Sequence, residues 1–248
     1  MPSGASPNSI VWLSADEIAA DFTLPAGEAA GDRLPLATAR LLIFVGLTGA
    51  GKTAAVSGLV GCGAVRAVLP DRRAVTDQII LPAMTGDPAR RVTDRIERFR
   101  MTAAFRDRHP GGMGDVLERL SLGPERGGDW VYGGWLVFDG VRGPAEAAAA
   151  ARLPNAVFAV LQAAPEIRLA RLSLRGDPFD RAALETGDLA AATGGNPDYV
   201  QVLTEQEMGG LVSEVTLKRL GRLLADAGAD LSAVASAASI VVEESRHY

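Results

Sequence analysis

Apolar and polar positions alternate along the chain in blocks that predict strands and helices in turn. Leu41-Leu-Ile-Phe-Val45 is a continuous apolar run of the kind found in a strand buried on both faces, and a helix-compatible stretch over 51–61 follows it. A short strand is expected at 65–69, then a mainly helical region to about residue 122. Beyond that the pattern predicts strand 131–138, helix 144–152, strand 156–162 and helix 165–175. A polar Gly/Asp/Pro-rich loop runs to about residue 200, ahead of helix 208–227, ended by Gly228, and a last strand at 238–243. Alternation of this kind is the sign of an α/β fold with a parallel sheet. Residues 1–39, rich in Gly, Ala, Pro and Ser, read as a partly ordered arm. Ser14 and Glu17 there have capping-box spacing ahead of a short helix.

The turn after the first buried strand carries the strongest chemical signal. Gly46-Leu-Thr-Gly-Ala-Gly51-Lys52-Thr53 matches the phosphate-binding pattern G-x-x-x-x-G-K-[ST]. Its glycines permit a tight turn whose N–H groups (those of Gly46, Thr48, Gly49, Ala50 and Gly51) can surround phosphate, and the helix that follows adds the positive end of its dipole. Lys52 is suited to the β- and γ-phosphates and Thr53 to Mg²⁺. The chain has only two lysines, Lys52 and Lys218, against twenty-three arginines, so the lysine in the loop is not drawn from a general excess. A nucleoside triphosphate and Mg²⁺ are the expected ligands of the loop.

Three further segments bear on chemistry. Trp135-Leu-Val-Phe138-Asp139-Gly140-Val-Arg142 reads as a buried strand delivering Asp139 at its C-terminal end, where ligands bind in open α/β sheets, and Asp139 is placed to hold Mg²⁺ with Thr53. Residues 65–108 hold ten arginines against six acids. In this insertion Val92, Ile96, Phe99 and Ala103 are spaced as a buried stripe, beside a second stripe of Arg91, Arg95, Arg98, Thr102 and Arg106. Guanidinium groups there suit a second anionic ligand, although a solvated face of ion pairs with Asp94 and Glu97 accounts equally for the stripe. Finally, Arg168, Arg171 and Arg175 share one helical face ahead of the Gly176-Asp-Pro178 break. Arginines brought in by a lid can neutralise charge on a transferring phosphoryl group.

Bulk properties narrow the remaining classes. The net charge of −5 argues against a general nucleic-acid or membrane-surface binder. One cysteine, Cys62, cannot form an internal disulfide, and two distant histidines form no metal cluster. No apolar stretch has membrane-spanning length, and the N-terminus lacks the basic-then-apolar order of a secretory signal, so a cytoplasmic protein is expected.

Together the Gly46–Thr53 loop, the helical insertion, the strand ending in Asp139-Gly140 near Arg142, and the Arg171-x-x-x-Arg175 helix resemble the P-loop nucleoside and nucleotide kinases, such as adenylate kinase and dephospho-CoA kinase. The segment Asp139-Gly-Val-Arg142 is one residue shorter than the Asp-Gly-Phe-Pro-Arg of adenylate kinases. The resemblance implies a P-loop NTPase three-layer sandwich over residues 40–248, with a five-stranded parallel sheet, the loop strand central and the Asp139 strand beside it. It also implies a helical acceptor-binding insertion over 65–125 and a lid over 175–200. The expected activity is transfer of the γ-phosphoryl of ATP to a small, phosphorylated or nucleotide-like acceptor. Lys52, Asp139, Arg171 and Arg175 would act on the transfer, and Arg95, Arg98, Arg106 and Arg142 on the acceptor. A regulatory ATPase acting on a protein partner and a kinase acting on nucleic acid are the alternatives.

Overall fold

The computed structural model describes residues 11–59, 63–87, 90, 92–123, 133–174 and 198–247. Cys62, Arg91, Arg175 and nearly all of the expected lid lie outside these residues. The chain forms two compact units: residues 1–46 with 52–160, and residues 47–51 with 161–248.

The first unit is α/β and is built on a parallel sheet. Its strands are β1 (Val11–Trp12), β4 (Arg40–Val45), β5 (Val65–Val68), β7 (Trp135–Val141) and β8 (Ala156–Val160), in the order β1-β5-β7-β4-β8. All four pairings are parallel. Leu41, Ile43, Leu136, Val137 and Phe138 are fully buried, the expected fate of continuous apolar runs in inner strands. The Asp139 strand β7 does lie beside the loop strand β4. It is β7, however, that takes the middle place, because the fifth strand is the two-residue β1 at the β5 edge.

The expected strand at 238–243 is instead part of a helix, Leu231–His247. Val234, Ala237, Ala238, Val241 and Val242 are buried at helical spacing, and this tertiary burial outweighs the β-branched Ile240-Val-Val242 run. The N-terminal stretch also differs from the sequence expectation. Ser14 and Glu17 do meet, with the Ser14 N–H donating to Glu17 Oε2 at 2.8 Å, but they close only a 3₁₀ turn at Ala15–Glu17. The chain then enters β2 (Ile18–Ala20), which with β3 (Leu34–Pro35) flanks β6 (Leu120–Leu122) in a small antiparallel sheet.

The helices of this unit are α1 (Lys52–Leu59), α2 (Arg72–Val75), α3 (Leu81–Thr85), α4 (Arg95–Arg108), α5 (Met113–Leu117) and α6 (Gly143–Ala150), with a π-helical turn at Thr76–Ile80 between α2 and α3. The second unit is helical: α7 (Pro165–Ser173), α8 (Tyr199–Glu205), α9 (Glu214–Asp226) and α10 (Leu231–His247), around a core that includes Leu169, Leu203, Leu220 and Val241. The single helix expected over 208–227 is thus a 3₁₀ turn at Met208–Gly210 followed by α9, whose end is marked by Gly228 at φ +63°. Among the described residues no helix is long and apolar enough to cross a membrane.

Candidate phosphate and metal site

Strand β4 hands the chain to Gly46, whose N–H donates to Val141 O of β7 at 3.4 Å, and α1 begins at Lys52. Lys52 Nζ donates to the Gly46 carbonyl at 2.5 Å, which folds the ammonium back over the first residue of the loop. Thr53 Oγ1 lies 3.4 Å from Asp139 Oδ2. The register between β4 and β7 explains how Asp139 comes to face the threonine. Ile43 pairs with Phe138 and Val45 with Val141, so two residues of β7, Asp139 and Gly140, stand opposite Phe44 alone. An extra residue of this kind bends a strand and re-aims its side chain. Nothing in the apolar pattern announces the bulge; Gly140 is its sole trace in the sequence.

The middle of the loop is held within the second unit. Gly49 has φ +82° and Gly51 φ +104°. A Cβ at Gly49 would also stand 3.0 Å from Arg168 O, so only glycine fits both the backbone angle and the space. Arg171 Nη1 donates to the carbonyls of Gly49 (3.0 Å) and Ala50 (3.1 Å). Because the peptide is planar and trans, a carbonyl of residue 50 turned toward Arg171 turns the Gly51 N–H the opposite way. Arg168 Nε donates to Thr48 O at 2.8 Å, and its Nη2 pairs with Glu244 Oε2. Glu244 accepts from the Thr48 N–H at 2.9 Å and from Thr48 Oγ1 at 2.5 Å. Both charged side chains are buried, Arg168 to 2% exposure and Glu244 to 8%. Glu244 was not among the sequence candidates. It lies just past the segment 238–243 expected to be a strand, and no motif spacing links it to the loop.

A cleft of about 420 Å³ opens in the first unit at the C-terminal ends of β5 and β7. Thr53 and Asp139 line it together with Asp71, and Trp12, Leu13 and Leu69 form part of its apolar wall. Asp71 follows β5 and caps α2, its Oδ1 accepting from the Ala74 N–H at 2.7 Å.

The predicted acceptor arginines are dispersed. Arg98 pairs with Asp77, and its guanidinium is held below its ordinary pKa by burial and, second, by the charge of Arg73. Arg106 is exposed on the last turn of α4. Arg95 opens α4, and its side chain lies outside the described ones. Arg142 caps α6, and its backbone N–H donates to Glu146 Oε2 at 2.8 Å. Arg98, Arg106 and Arg142 are not among the described residues lining the cleft. The predicted apolar stripe is also displaced, since Phe99 is 62% exposed and the buried aromatic of α4 is Phe105 at 2%. Phe105 packs with Phe22 and His109, ring centroids 4.6–5.4 Å apart.

Comparison with protein-family models, with curated proteins and with solved structures yields no match for this chain.

Proposed function

We propose that the protein is an ATP- and Mg²⁺-dependent phosphotransferase of the P-loop kinase type, moving the γ-phosphoryl group to a small acceptor. The observation that carries this reading is the convergence of three features in one unit. The motif's Thr53 meets Asp139 at 3.4 Å, both lie at the C-terminal edge of a parallel sheet, and both line a cleft large enough for a second ligand. These features also support placing the sheet in the P-loop NTPase class.

A hydroxyl and a carboxylate are hard oxygen donors, and Mg²⁺ characteristically takes one or two protein oxygens and completes its shell with water and phosphate. Thr53 and Asp139 therefore fit the ion, which when bound would neutralise charge on the β- and γ-phosphates. Lys52 and the Gly51 N–H would bind the donor phosphates, whereas the Gly46, Thr48 and Ala50 N–H groups, expected from the motif to do so, donate here to Val141 O, Glu244 and Leu47 O. Arg171, through the carbonyls of Gly49 and Ala50, would keep the Gly51 N–H turned toward the phosphates. No membrane partner is proposed.

A second reading has one observation in its favour. Glu244 of α10 bonds directly to Thr48 in the loop, so a regulatory ATPase could pass the state of the loop to the C-terminal helix. A transfer assay decides between the two. With γ-labelled ATP and Mg²⁺, a kinase labels an added acceptor. A switch releases only phosphate, at a rate no small acceptor changes.

A further inference from the structure

The proposed kinase reading leaves the acceptor open, and the cleft beside Thr53 and Asp139 bears directly on it. We infer that this cleft takes an unphosphorylated alcohol with a flat or apolar body, neutral or cationic, and that Asp71 accepts its hydroxyl proton. The inference rests on the kinase reading and reverses the sequence expectation of a phosphorylated acceptor.

Twelve described residues line the cleft, and none is arginine or lysine. Among these described residues the charged groups are two carboxylates, Asp71 and Asp139. A phosphomonoester would bring about two further negative charges to that wall. Two cations nearby in sequence are engaged elsewhere. Arg72 forms a bidentate pair with Glu146 (2.6 and 2.7 Å) and donates to Gly140 O at 2.8 Å, and Arg98 pairs with Asp77. The rest of the wall suits an uncharged body. Leu13, Val56 and Leu69 are apolar, and the Trp12 indole, 57% exposed, offers a face for stacking or for a cation.

The two carboxylates differ in their neighbours. Asp139 faces Thr53, which commits it to the metal side. Asp71 is exposed in the cleft and uses Oδ1 to cap α2, so its second oxygen is the one offered to a ligand. In the transfer, the alcohol oxygen forms a bond to the γ-phosphorus. The bond from that phosphorus to the β,γ-bridging oxygen breaks, the electron pair leaves on ADP, and the hydroxyl proton passes to Asp71 and then to water.

The test uses matched pairs: adenosine, cytidine and phenylalaninol, each beside its phosphomonoester. Binding is read without nucleotide from tryptophan fluorescence, with Trp12→Phe as the control for signal origin, and transfer is read with labelled ATP. The expected result is saturable quenching by at least one alcohol, lost in Trp12→Phe, with its phosphomonoester at least tenfold weaker. Asp71→Asn, which keeps the helix cap because Asn caps as well as Asp, should lower transfer about a hundredfold or more while ATP affinity stays within threefold. Preference for the phosphomonoesters, failure of every alcohol to bind, or full transfer by Asp71→Asn would overturn the inference. Absence of ATP binding would instead remove the nucleotide reading, and the fluorescence arm would still judge the cleft.

Discussion

The buried pair that anchors the loop offers the sharpest perturbation. Arg168 and Glu244 are almost fully enclosed, bonded to each other and both bonded to Thr48. Removing one member leaves a charge without its counter-ion in a low-dielectric setting, at about 3–5 kcal/mol. Replacing both with apolar groups of similar volume removes the stranded charge, and such replacements are often neutral. Arg168→Met and Glu244→Leu should therefore each lower the melting temperature by roughly 6–20 °C, at about 2–4 °C per kcal/mol for a chain of this size. The double variant should be damaged less than either single. Thermal and urea unfolding, followed by far-UV circular dichroism, give the coupling energy. Binding of a fluorescent ATP analogue gives the effect on the loop, and it should weaken in all three variants because Thr48 loses its anchors. Effects that add to within about 0.5 kcal/mol would refute the reasoning, since groups that do not share a partner behave that way.

Three further outcomes are expected. Lys52→Ala should lower phosphoryl transfer by at least about a hundred- to a thousandfold, with unchanged circular dichroism, because the lysine acts on phosphate charge rather than on packing; wild-type turnover would sink the nucleotide assignment. Asp139→Asn should raise the Mg²⁺ concentration for half-maximal activity about tenfold or more, and an unaltered Mg²⁺ titration would show that the carboxylate is structural. The His109 pKa is lowered, chiefly by burial and next by Arg119, with Asp115 opposing and Arg108 adding to the shift. The folded state thus binds its proton less readily than the unfolded one, so this contribution is complete above about pH 6.5 and is lost as pH falls below it. Urea midpoints at pH 7.5 and 5.5 should differ less for His109→Phe, which keeps the aromatic contact with Phe22 and Phe105, than for the native chain.

The parts legible in the sequence are those fixed by local chemistry. The Gly46–Thr53 loop needs its residues in one order, and β4 and β7 needed only their apolar runs to be recognised as strands, while their adjacency was implied by the resemblance to P-loop kinases. What escaped the sequence depends on partners remote along the chain. Strands of two or three residues such as β1, β2 and β3 are too short to show a period, and they exist because β5 and β6 present edges to pair with. The helix at Leu231–His247 was concealed by its β-branched segment, and Glu244 meets Thr48 across 196 positions.

The arginines show the same limit from the other side. Counting cations over 65–108 suggested an anion site, but a count omits the carboxylates the fold brings to meet them: Asp77 for Arg98, Glu97 for Arg90 and Glu146 for Arg72. The Pro70-Asp-Arg-Arg73 and Arg108-His-Pro-Gly-Gly-Met113 strings have structural work to do. Asp71 caps α2 and Arg72 ties α2 to α6 through Glu146. Just past the second string, α5 approaches α6 so closely that a Cβ at Gly114 would stand 2.4 Å from Glu146 O. Among the described residues lining the cleft, the charged groups are carboxylates. In the proposed kinase, discrimination among acceptors would then fall to Asp71, Asp139 and the Trp12 wall, by exclusion of anions rather than by their capture.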